Sequence, residues 1–301
     1  MPTRPRFASV FLKSLTALVG AAMVLAGCGG PGSSSLPSAT PSASRAEATA
    51  TPDLSKPAGV IAIGHSGLTG EGTGEPGQAA KENSWATGTN PNVNSVYLRL
   101  AAVRPETKDH VANTAHGGAR SGTLVGQATS ALQQVPVPAL AIIQSIDSDI
   151  RCDGTDAENV KPFGENIRAG LETITKASPN AQILIVGQLG RPSAVFISEL
   201  VAREPSQKDA LTGTGPCDFF NEDGKLVLAN IQTLTTIIDS YEKEQARVCA
   251  QFPTCHTDGG VRARYIDKIE NFSADFNHLN IAGQADEAAL IWPVVKEILQ
   301  L

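Results

Sequence analysis

Short apolar runs alternate with segments of helical period along most of this chain, and that alternation constrains the fold more than any other feature. The runs typical of buried strands are Val60–Ile63, Leu140–Ile146 and Ile183–Val186, with weaker ones at His110–Asn113 and Arg264–Ile266. Strands that alternate with helices indicate a parallel sheet covered on both faces. We therefore predict an α/β fold, a three-layer α/β/α sandwich with a mostly parallel central sheet.

Five segments between and after these runs carry apolar residues at helical spacing and are predicted to be helices. They are Val93–Val103, Leu124–Gln134, Asn159–Ala177, Lys225–Cys249 and Ile281–Leu301. In sheets of this kind, ligands bind beyond the carboxyl ends of the strands. The residues that directly follow an apolar run are therefore the first candidates for a functional site.

The first 28 residues have the features of an export signal. Three basic residues precede an apolar segment, Leu15–Leu25, which is too short to span a membrane comfortably. The segment ends in Leu25-Ala26-Gly27-Cys28, which resembles a bacterial lipobox, whose cysteine becomes the lipidated first residue of the mature protein. We predict that a lipid on Cys28 anchors the protein to the outer face of the bacterial cytoplasmic membrane. The alternative is an ordinary signal peptide that is cleaved elsewhere.

The rest of the chain divides into a tether and a body. Residues 29–57 are dominated by Ser, Pro, Ala, Thr and Gly and contain little that could bury a core, so we predict a flexible, disordered tether. Residues 58–301 fit one domain of ordinary size. The net charge of −6 comes without a basic cluster, which argues against nucleic acid as a partner.

Four cysteines remain once Cys28 is set aside, and an even number in an exported chain predicts two disulfides. The short CAQFPTC loop favours the pair Cys249–Cys255, which leaves the pair Cys152–Cys217. A zinc site is the alternative, but the sequence has no CxxC pair and His256 is the only histidine nearby. We predict no metal site.

The first apolar run ends in Gly64-His65-Ser66-Gly67, a small serine held between glycines, which is either a tight turn or a nucleophile. A serine nucleophile requires a neighbouring base that is itself oriented by a third group. In the segment SADFNHLNIAGQ, Asp275 precedes His278 by three residues, just before the last predicted helix. This spacing lets the carboxylate hold one imidazole nitrogen and leave the other for the serine. Similar pairs also cap helices, so the pair is informative only together with the serine.

These motifs together resemble those of the SGNH hydrolases, also called GDSL esterases and lipases. That family has a serine in a glycine-flanked turn after the first strand, a glycine after the second strand, a Gly-x-Asn-Asp turn after the third, and Asp-x-x-His before the last helix. Ser66, Asp275 and His278 match this pattern, and Gly118 in NTAHGGA is the best match for the glycine. The resemblance spans about residues 58–300, and NSWATGTNP at 83–91 resembles actinobacterial members. It implies a flavodoxin-like sheet.

Two positions depart from the family pattern. The usual aspartate before the serine is His65 here, and the third block is Ile146-Asp147-Ser148-Asp149, which puts Ser148 where the family has an oxyanion-hole asparagine. A serine hydroxyl can donate a hydrogen bond, but it reaches less far than an amide. Because loss of one oxyanion donor costs about 100- to 1000-fold in rate, Ser148 predicts a slow enzyme or a rearranged oxyanion hole.

The resemblance implies a cell-envelope serine hydrolase that cleaves carboxylic esters through an acyl-enzyme on Ser66. His278 would be the general base and Asp275 its orienting carboxylate, while the N–H groups of Ser66 and Gly118, with Ser148, would hold the oxyanion. No cofactor is implied. The expected substrate is an acyl ester, with an envelope lipid or an acylated glycan as the candidates. Two alternatives stay open: a catalytically weak or inactive surface lipoprotein that binds glycans or lipids on the same fold, and an acyltransferase.

Overall fold

The computed structural model of the protein describes residues 56–301, so the predicted signal peptide, Cys28 and nearly all of the tether lie outside the described residues. The strands are β1 Val60–Gly64, β2 Val111–Asn113, β3 Leu140–Gln144, β4 Gln182–Val186 and β5 Cys255–Thr257. The α-helices are α1 Val96–Val103, α2 Leu124–Gln134, α3 Asp156–Ala177, α4 Ala194–Arg203, α5 Gln207–Ala210, α6 Leu228–Cys249 and α7 Ile281–Leu299. Of the helices in this part of the chain, none combines the length and the apolar character needed to cross a membrane.

The five strands form one sheet in the order β2-β1-β3-β4-β5, and every pairing between them is parallel. The α/β prediction with a parallel central sheet is therefore confirmed. The register pairs Gly64, the last residue of β1, with Gln144, the last residue of β3. Because β2 lies on one side of β1 and β3 on the other, the strand order switches between β1 and β3, where open α/β sheets form their ligand crevice.

Alternate residues of the central strands face opposite helix layers, because side chains in a strand point to the two faces of the sheet in turn. Ile61 and Ile63 belong to the core that the sheet forms with α2, α3 and α6. Val60 and Ala62 belong to the core on the other face, formed with α1 and α7. The two covered faces explain why the strands are apolar runs without polar alternation, and they give the three layers that the sequence predicts.

The edge of the sheet differs from the sequence prediction. Arg264–Ile266 is not a strand, since Arg262–Arg264 forms a short 3-10 helix and the Ile266 side chain is 82% exposed. The fifth strand is Cys255–Thr257, which is half-buried and pairs with β4 alone. A short edge strand needs no apolar run, so its sequence carries little signal. Helix α4 likewise has no counterpart among the predicted helices.

Both predicted disulfides are present, one between Cys152 and Cys217 and the other between Cys249 and Cys255. The first joins residues 65 positions apart and ties the start of the loop before α3 to the long segment between α5 and α6. The second closes the turn that leads from α6 into β5. The cysteine count and the short CAQFPTC loop therefore predicted both pairs correctly.

Candidate active site

The serine turn follows β1 directly, and Ser66 is the first residue of a 3-10 helix, Ser66–Leu68. Gly64 at the end of β1 has φ +142°, and a Cβ atom there would lie 1.8 Å from the Gln144 carbonyl oxygen. Only glycine fits this position, because β1 and β3 approach too closely for a side chain and L residues rarely adopt such a φ. This close approach sets the point at which the strand gives way to the serine turn.

Two side chains from other segments hold the turn in place. The Gln127 amide of α2 binds Gly64 twice: its Oε1 accepts from the backbone N–H at 2.6 Å and its Nε2 donates to the carbonyl at 3.1 Å. The fully buried Trp85 donates from Nε1 to the Gly67 carbonyl at 3.1 Å. The backbone around Ser66 is therefore fixed before any substrate binds, as a preorganised site requires.

The structure brings Asp275 and His278 together at the amino end of α7. His278 Nδ1 lies 2.7 Å from Asp275 Oδ2, while Asp275 Oδ1 accepts from the His278 backbone N–H at 2.9 Å and from the Ser273 hydroxyl at 2.6 Å. The Asn277 side-chain nitrogen lies 3.4 Å from His278 Nε2. Because the carboxylate accepts at Nδ1, that nitrogen carries the proton of the neutral ring, and Nε2 keeps the lone pair that a general base needs.

The surroundings of this pair favour a basic imidazole and an ionised carboxylate. Burial alone would lower the pKa of His278, but Asp275, through its hydrogen bond and its charge, followed by Glu71 and Asp147, raises it above its ordinary value. Burial would raise the pKa of Asp275, yet hydrogen bonds from His278, Ser273 and the backbone hold it far below its ordinary value. Glu71 Oε2 lies 3.8 Å from His278 Nε2, on the side of the ring that faces away from Asp275.

Ser66 and His278 line the same partly open cleft, beyond the carboxyl ends of β1 and β3. Within the part of the chain that the structure describes, neither the Ser66 hydroxyl nor its backbone N–H has a hydrogen-bond partner. The hydrogen bond between a nucleophile and its base is often long without substrate and tightens in the complex. The serine and the imidazole are thus placed to act on one substrate, and the free N–H of Ser66 is available to an oxyanion.

The other predicted oxyanion residues, Gly118 and Ser148, are not part of the lining of this cleft. Gly118 follows β2 with φ +68°, and its neighbour Gly117 lies against Glu71, whose Oε2 would be 3.1 Å from a Cβ at that position. Neither Gly118 nor the buried Ser148 is among the residues that line the cleft. Asp147, the residue before Ser148, does line the cleft. The turn after β3 therefore presents a carboxylate to the cleft and not the serine hydroxyl that the family pattern indicates.

The turn that carries Asp147 is strained. The strand β3 ends at Gln144, two residues before the predicted end at Ile146. Ile146 itself has φ +110°, a region that β-branched residues in particular avoid. Backbone strain of this kind costs about 1–3 kcal/mol and persists where the surrounding structure enforces it, most often at functional sites. Here it accompanies the turn that brings Asp147 to the cleft.

His65, from the serine motif, lines the cleft, and so do four polar residues outside the sequence motifs: Gln144, Gln188, Arg262 and Glu287. Arg262 Nη2 and Glu287 Oε1 form an ion pair at 2.7 Å, with both side chains at most 2% exposed. Burial raises the pKa of Glu287 to about 7, although the charge of Arg262 lowers it. The sequence gives little signal for this group: Gln144 lies inside the predicted run Leu140–Ile146, and Gln188 stands two residues after the run Ile183–Val186.

The residues of the cleft supply a nucleophile, a base and hydrogen-bonding groups. Among residues 56–301, no group of three or more His, Cys, Asp or Glu side chains is arranged to hold a metal ion. His256, the histidine weighed as a zinc ligand, instead contacts Gln182 Oε1 through Nε2 at 2.9 Å, and the adjacent Cys255 is in a disulfide. The arrangement around Ser66 is the one that acyl transfer uses: a nucleophile, an imidazole whose Nε2 is unprotonated, and a carboxylate that orients it.

Comparison with known proteins returns matches among solved structures alone, since no family model and no curated protein matches the chain. The chain is similar to a phospholipase A1 from Streptomyces albidoflavus (12% identity, TM-score 0.49, covering 80% of this chain and 99% of that one). It is similar to a family 3 carbohydrate esterase from Clostridium thermocellum (12%, 0.45, 81% and 98%) and to a GDSL-like lipase from Parabacteroides merdae (15%, 0.45, 81% and 97%). These solved structures are lipases and esterases. At such identities the likeness concerns the fold, and the chemistry proposed below rests on the residues of the site.

Proposed function

We propose that this protein is a serine hydrolase of the SGNH type that cleaves carboxylic esters through an acyl-enzyme on Ser66. The observation that carries the proposal is that Ser66 and His278 line one cleft at the switch point of the sheet, with Asp275 hydrogen-bonded to His278 Nδ1. If Ser66 were only a turn residue, it would not need a basic imidazole in the same cleft. If Asp275 and His278 only capped α7, the imidazole would not need to share a cleft with a serine. The combination is what nucleophilic catalysis requires.

The reaction follows from the protonation states of the three side chains. The Ser66 oxygen attacks the acyl carbonyl carbon while its proton moves to His278 Nε2, and Asp275 stabilises the imidazolium that forms. The tetrahedral adduct collapses as the imidazolium returns the proton to the leaving alcohol. Water, deprotonated by the same nitrogen, then attacks the acyl-enzyme and releases the acid. The backbone N–H of Ser66 is the first oxyanion donor, and Gly118 and Ser148 stay predicted donors.

The polar atoms of the cleft favour a neutral, hydroxyl-bearing ester such as an acylated glycan over a long-chain lipid. Gln144 Oε1, Gln188 Oε1 and Arg262 Nε are buried and have no hydrogen-bond partner among the described residues. An alkyl chain would leave them unpaired at a cost of about 1–3 kcal/mol each, whereas hydroxyl groups both donate and accept. The carboxylates of Glu71 and Asp147 near His278 disfavour an anionic substrate.

The cellular setting belongs to the same proposal. The Leu25-Ala26-Gly27-Cys28 motif and the signal-like segment before it support export and a lipid anchor on Cys28 at the outer face of the cytoplasmic membrane. The two disulfides support an oxidising compartment, where such bonds persist. A tether of about 29 residues would let the hydrolase reach esters in the cell envelope.

The test of this function is turnover by the purified protein beside its Ser66→Ala variant. Hydrolysis of p-nitrophenyl acetate should be lost in Ser66→Ala, with the fold unchanged by circular dichroism, and a fluorophosphonate should label the wild type only. Retained turnover in the variant would refute the assignment. A wild type that neither turns over esters nor is labelled would favour a binding protein on this fold, and products with the acyl group on a sugar would favour an acyltransferase.

The substrate class is tested on the same protein. An acetylated glucose should be hydrolysed with a higher kcat/KM than p-nitrophenyl palmitate. Gln188→Leu should raise KM for the acetylated sugar several-fold, because it removes an amide that hydroxyl groups would bind, and leave KM for p-nitrophenyl acetate unchanged. A preference for palmitate, or an equal effect of Gln188→Leu on both substrates, would count against the hydroxyl-bearing ester.

A further inference from the structure

We infer that His65, the residue directly before the nucleophile, donates the Nε2–H hydrogen bond that completes the oxyanion hole in this protein. The inference rests on the proposed ester hydrolysis. It connects the two positions that depart from the family pattern. His65 stands where the family has an aspartate, and Ser148, which stands where the family has an asparagine, does not line the cleft. The structure offers a buried N–H without an acceptor, on a residue that lines the cleft.

The position of the proton on His65 is fixed by a hydrogen bond to the serine turn. The Gly67 backbone N–H donates to His65 Nδ1 at 3.1 Å, and this bond caps the 3-10 helix that begins at Ser66. A nitrogen that accepts from a backbone N–H cannot itself carry a proton. In the neutral ring the proton therefore sits on Nε2, which makes that atom a donor.

The ring is neutral under ordinary conditions, so it has a single N–H. Burial lowers the pKa of His65 to about 4; the charge of Asp147 raises it, and the charges of Arg262 and His278 lower it. These are also the charged groups that face the ring from the loop after β3, the loop after β5 and the loop before α7. An imidazole held neutral near pH 7 can donate to a developing negative charge without having to bind or release a proton.

The Nε2 atom has no partner in the part of the chain that the structure describes, although it is fully buried. His65 is only 4% exposed and yet lines the same cleft as Ser66 and His278. A buried donor without an acceptor costs about 1–3 kcal/mol, so such atoms are rare unless a ligand satisfies them. The charge of Asp147 raises the pKa of His65, but its carboxylate makes no hydrogen bond with the ring.

The chemistry of the reaction provides the missing acceptor. When Ser66 adds to the ester, the carbonyl oxygen becomes negatively charged, and a rigid N–H in a buried cleft stabilises that charge more than it stabilises the neutral carbonyl. His65 and Ser66 are consecutive residues, and Gly67 holds both through the capped turn. The donor and the nucleophile are therefore kept in one fixed relation.

Two substitutions separate this role from that of a helix cap. His65→Asn places an amide oxygen near the position of Nδ1, so it keeps the bond to the Gly67 N–H but removes the Nε2 donor. His65→Gln places an amide nitrogen near the position of Nε2, so it keeps a donor but loses the cap. We expect kcat for p-nitrophenyl acetate, per fluorophosphonate-titrated serine, to fall on the order of 100-fold in His65→Asn with KM little changed. His65→Gln should keep most of the wild-type kcat and melt at a lower temperature.

The opposite order would overturn the inference: a His65→Asn variant with wild-type kcat, or a His65→Gln variant as slow as His65→Asn. Should His65→Asn fail to fold, the comparison of His65→Gln with the wild type still decides, because loss of its kcat contradicts a donor role at Nε2. The Ser66→Ala variant, measured beside them on the full chain in detergent, keeps the two proposals apart. Turnover in Ser66→Ala refutes the ester hydrolase itself, whereas a serine-dependent activity that is indifferent to His65→Asn refutes only the donor.

Discussion

We expect the carboxylate of Glu71 to contribute to the basicity of His278, and Glu71→Gln removes its charge with little change in shape. Glu71 Oε2 lies 3.8 Å from His278 Nε2, and the two side chains are 16% and 11% exposed. The charge of Glu71 is one of the causes that raise the pKa of His278 above its ordinary value. A nearby negative charge favours the imidazolium, so its removal lowers that pKa.

The size of the effect follows from the distance. At 3.8 Å two unit charges attract by about 1 kcal/mol in bulk water and by about 4 kcal/mol at the effective dielectric constant of about 20 that suits partly buried pairs. Even the smaller figure changes the acid dissociation constant of the imidazolium about fivefold. Because both side chains are mostly buried, salt in the buffer screens the interaction only in part.

The assay is the pH dependence of kcat/KM for p-nitrophenyl acetate. The general base works only when His278 is neutral, so kcat/KM falls as the pH drops through the pKa of that group in the free enzyme. Glu71→Gln should move this acid limb to lower pH and leave the plateau at high pH within a few-fold of the wild type. Glu75→Gln, an exposed change in the same loop, is the matched control and should leave the limb in place.

An acid limb that stays in place in Glu71→Gln would refute the electrostatic reasoning, and so would a shift to higher pH. An equal shift in Glu75→Gln would show that the effect comes from the net charge of the protein rather than from the 3.8 Å contact. A plateau that collapses together with the limb would mean that Glu71 has a role beyond its charge, such as holding the loop at Gly117.

The other predictions concern the oxyanion hole, the orienting carboxylate and one disulfide. Asp147→Asn should raise kcat, because it removes a negative charge from the cleft, whereas Ser148→Asn should change kcat little. A higher kcat in Ser148→Asn and no change in Asp147→Asn would show that Ser148 faces the oxyanion. Asp275→Asn should lower kcat about 10⁴-fold with the fold retained by circular dichroism, as loss of the orienting carboxylate does in serine triads, and a small loss would contradict its role. Replacing Cys152 and Cys217 by serine should cost about 4 kcal/mol in urea unfolding, from closure of a loop of 65 residues, and an unchanged midpoint would contradict this.

The layered fold could be predicted because its evidence is local. Each central strand is an apolar run, and the helix Leu124–Gln134 carries its period between clear ends, so the structure reproduces the bounds of that helix. The disulfide pairs followed from a short loop and from elimination. The strand Cys255–Thr257 could not be predicted in the same way, because an edge strand that is covered on one side has no need of an apolar sequence.

In the candidate site, too, the residues set by short-range features could be predicted and those set by tertiary structure could not. Ser66 and the Asp275–His278 pair could be found from the sequence because a turn after a strand and a three-residue spacing are short-range features. Whether Asp147 or Ser148 faces the cleft could not, because side-chain direction in a turn follows from its backbone angles, and Ile146 adopts a φ that no sequence period indicates.

The sequence by itself predicted the central strands, most of the helices, the cysteine pairs and the serine, histidine and aspartate of the candidate site. Only the tertiary structure decided what surrounds them. Gln144 ends β3, while Gln188 and Arg262 lie in the segments that follow β4 and β5. They line one cleft because parallel strands deliver the segments after their carboxyl ends to one edge of the sheet. The neutral state of His65 and the direction of its free N–H likewise depend on burial and on one backbone hydrogen bond, and neither exists until the chain has folded.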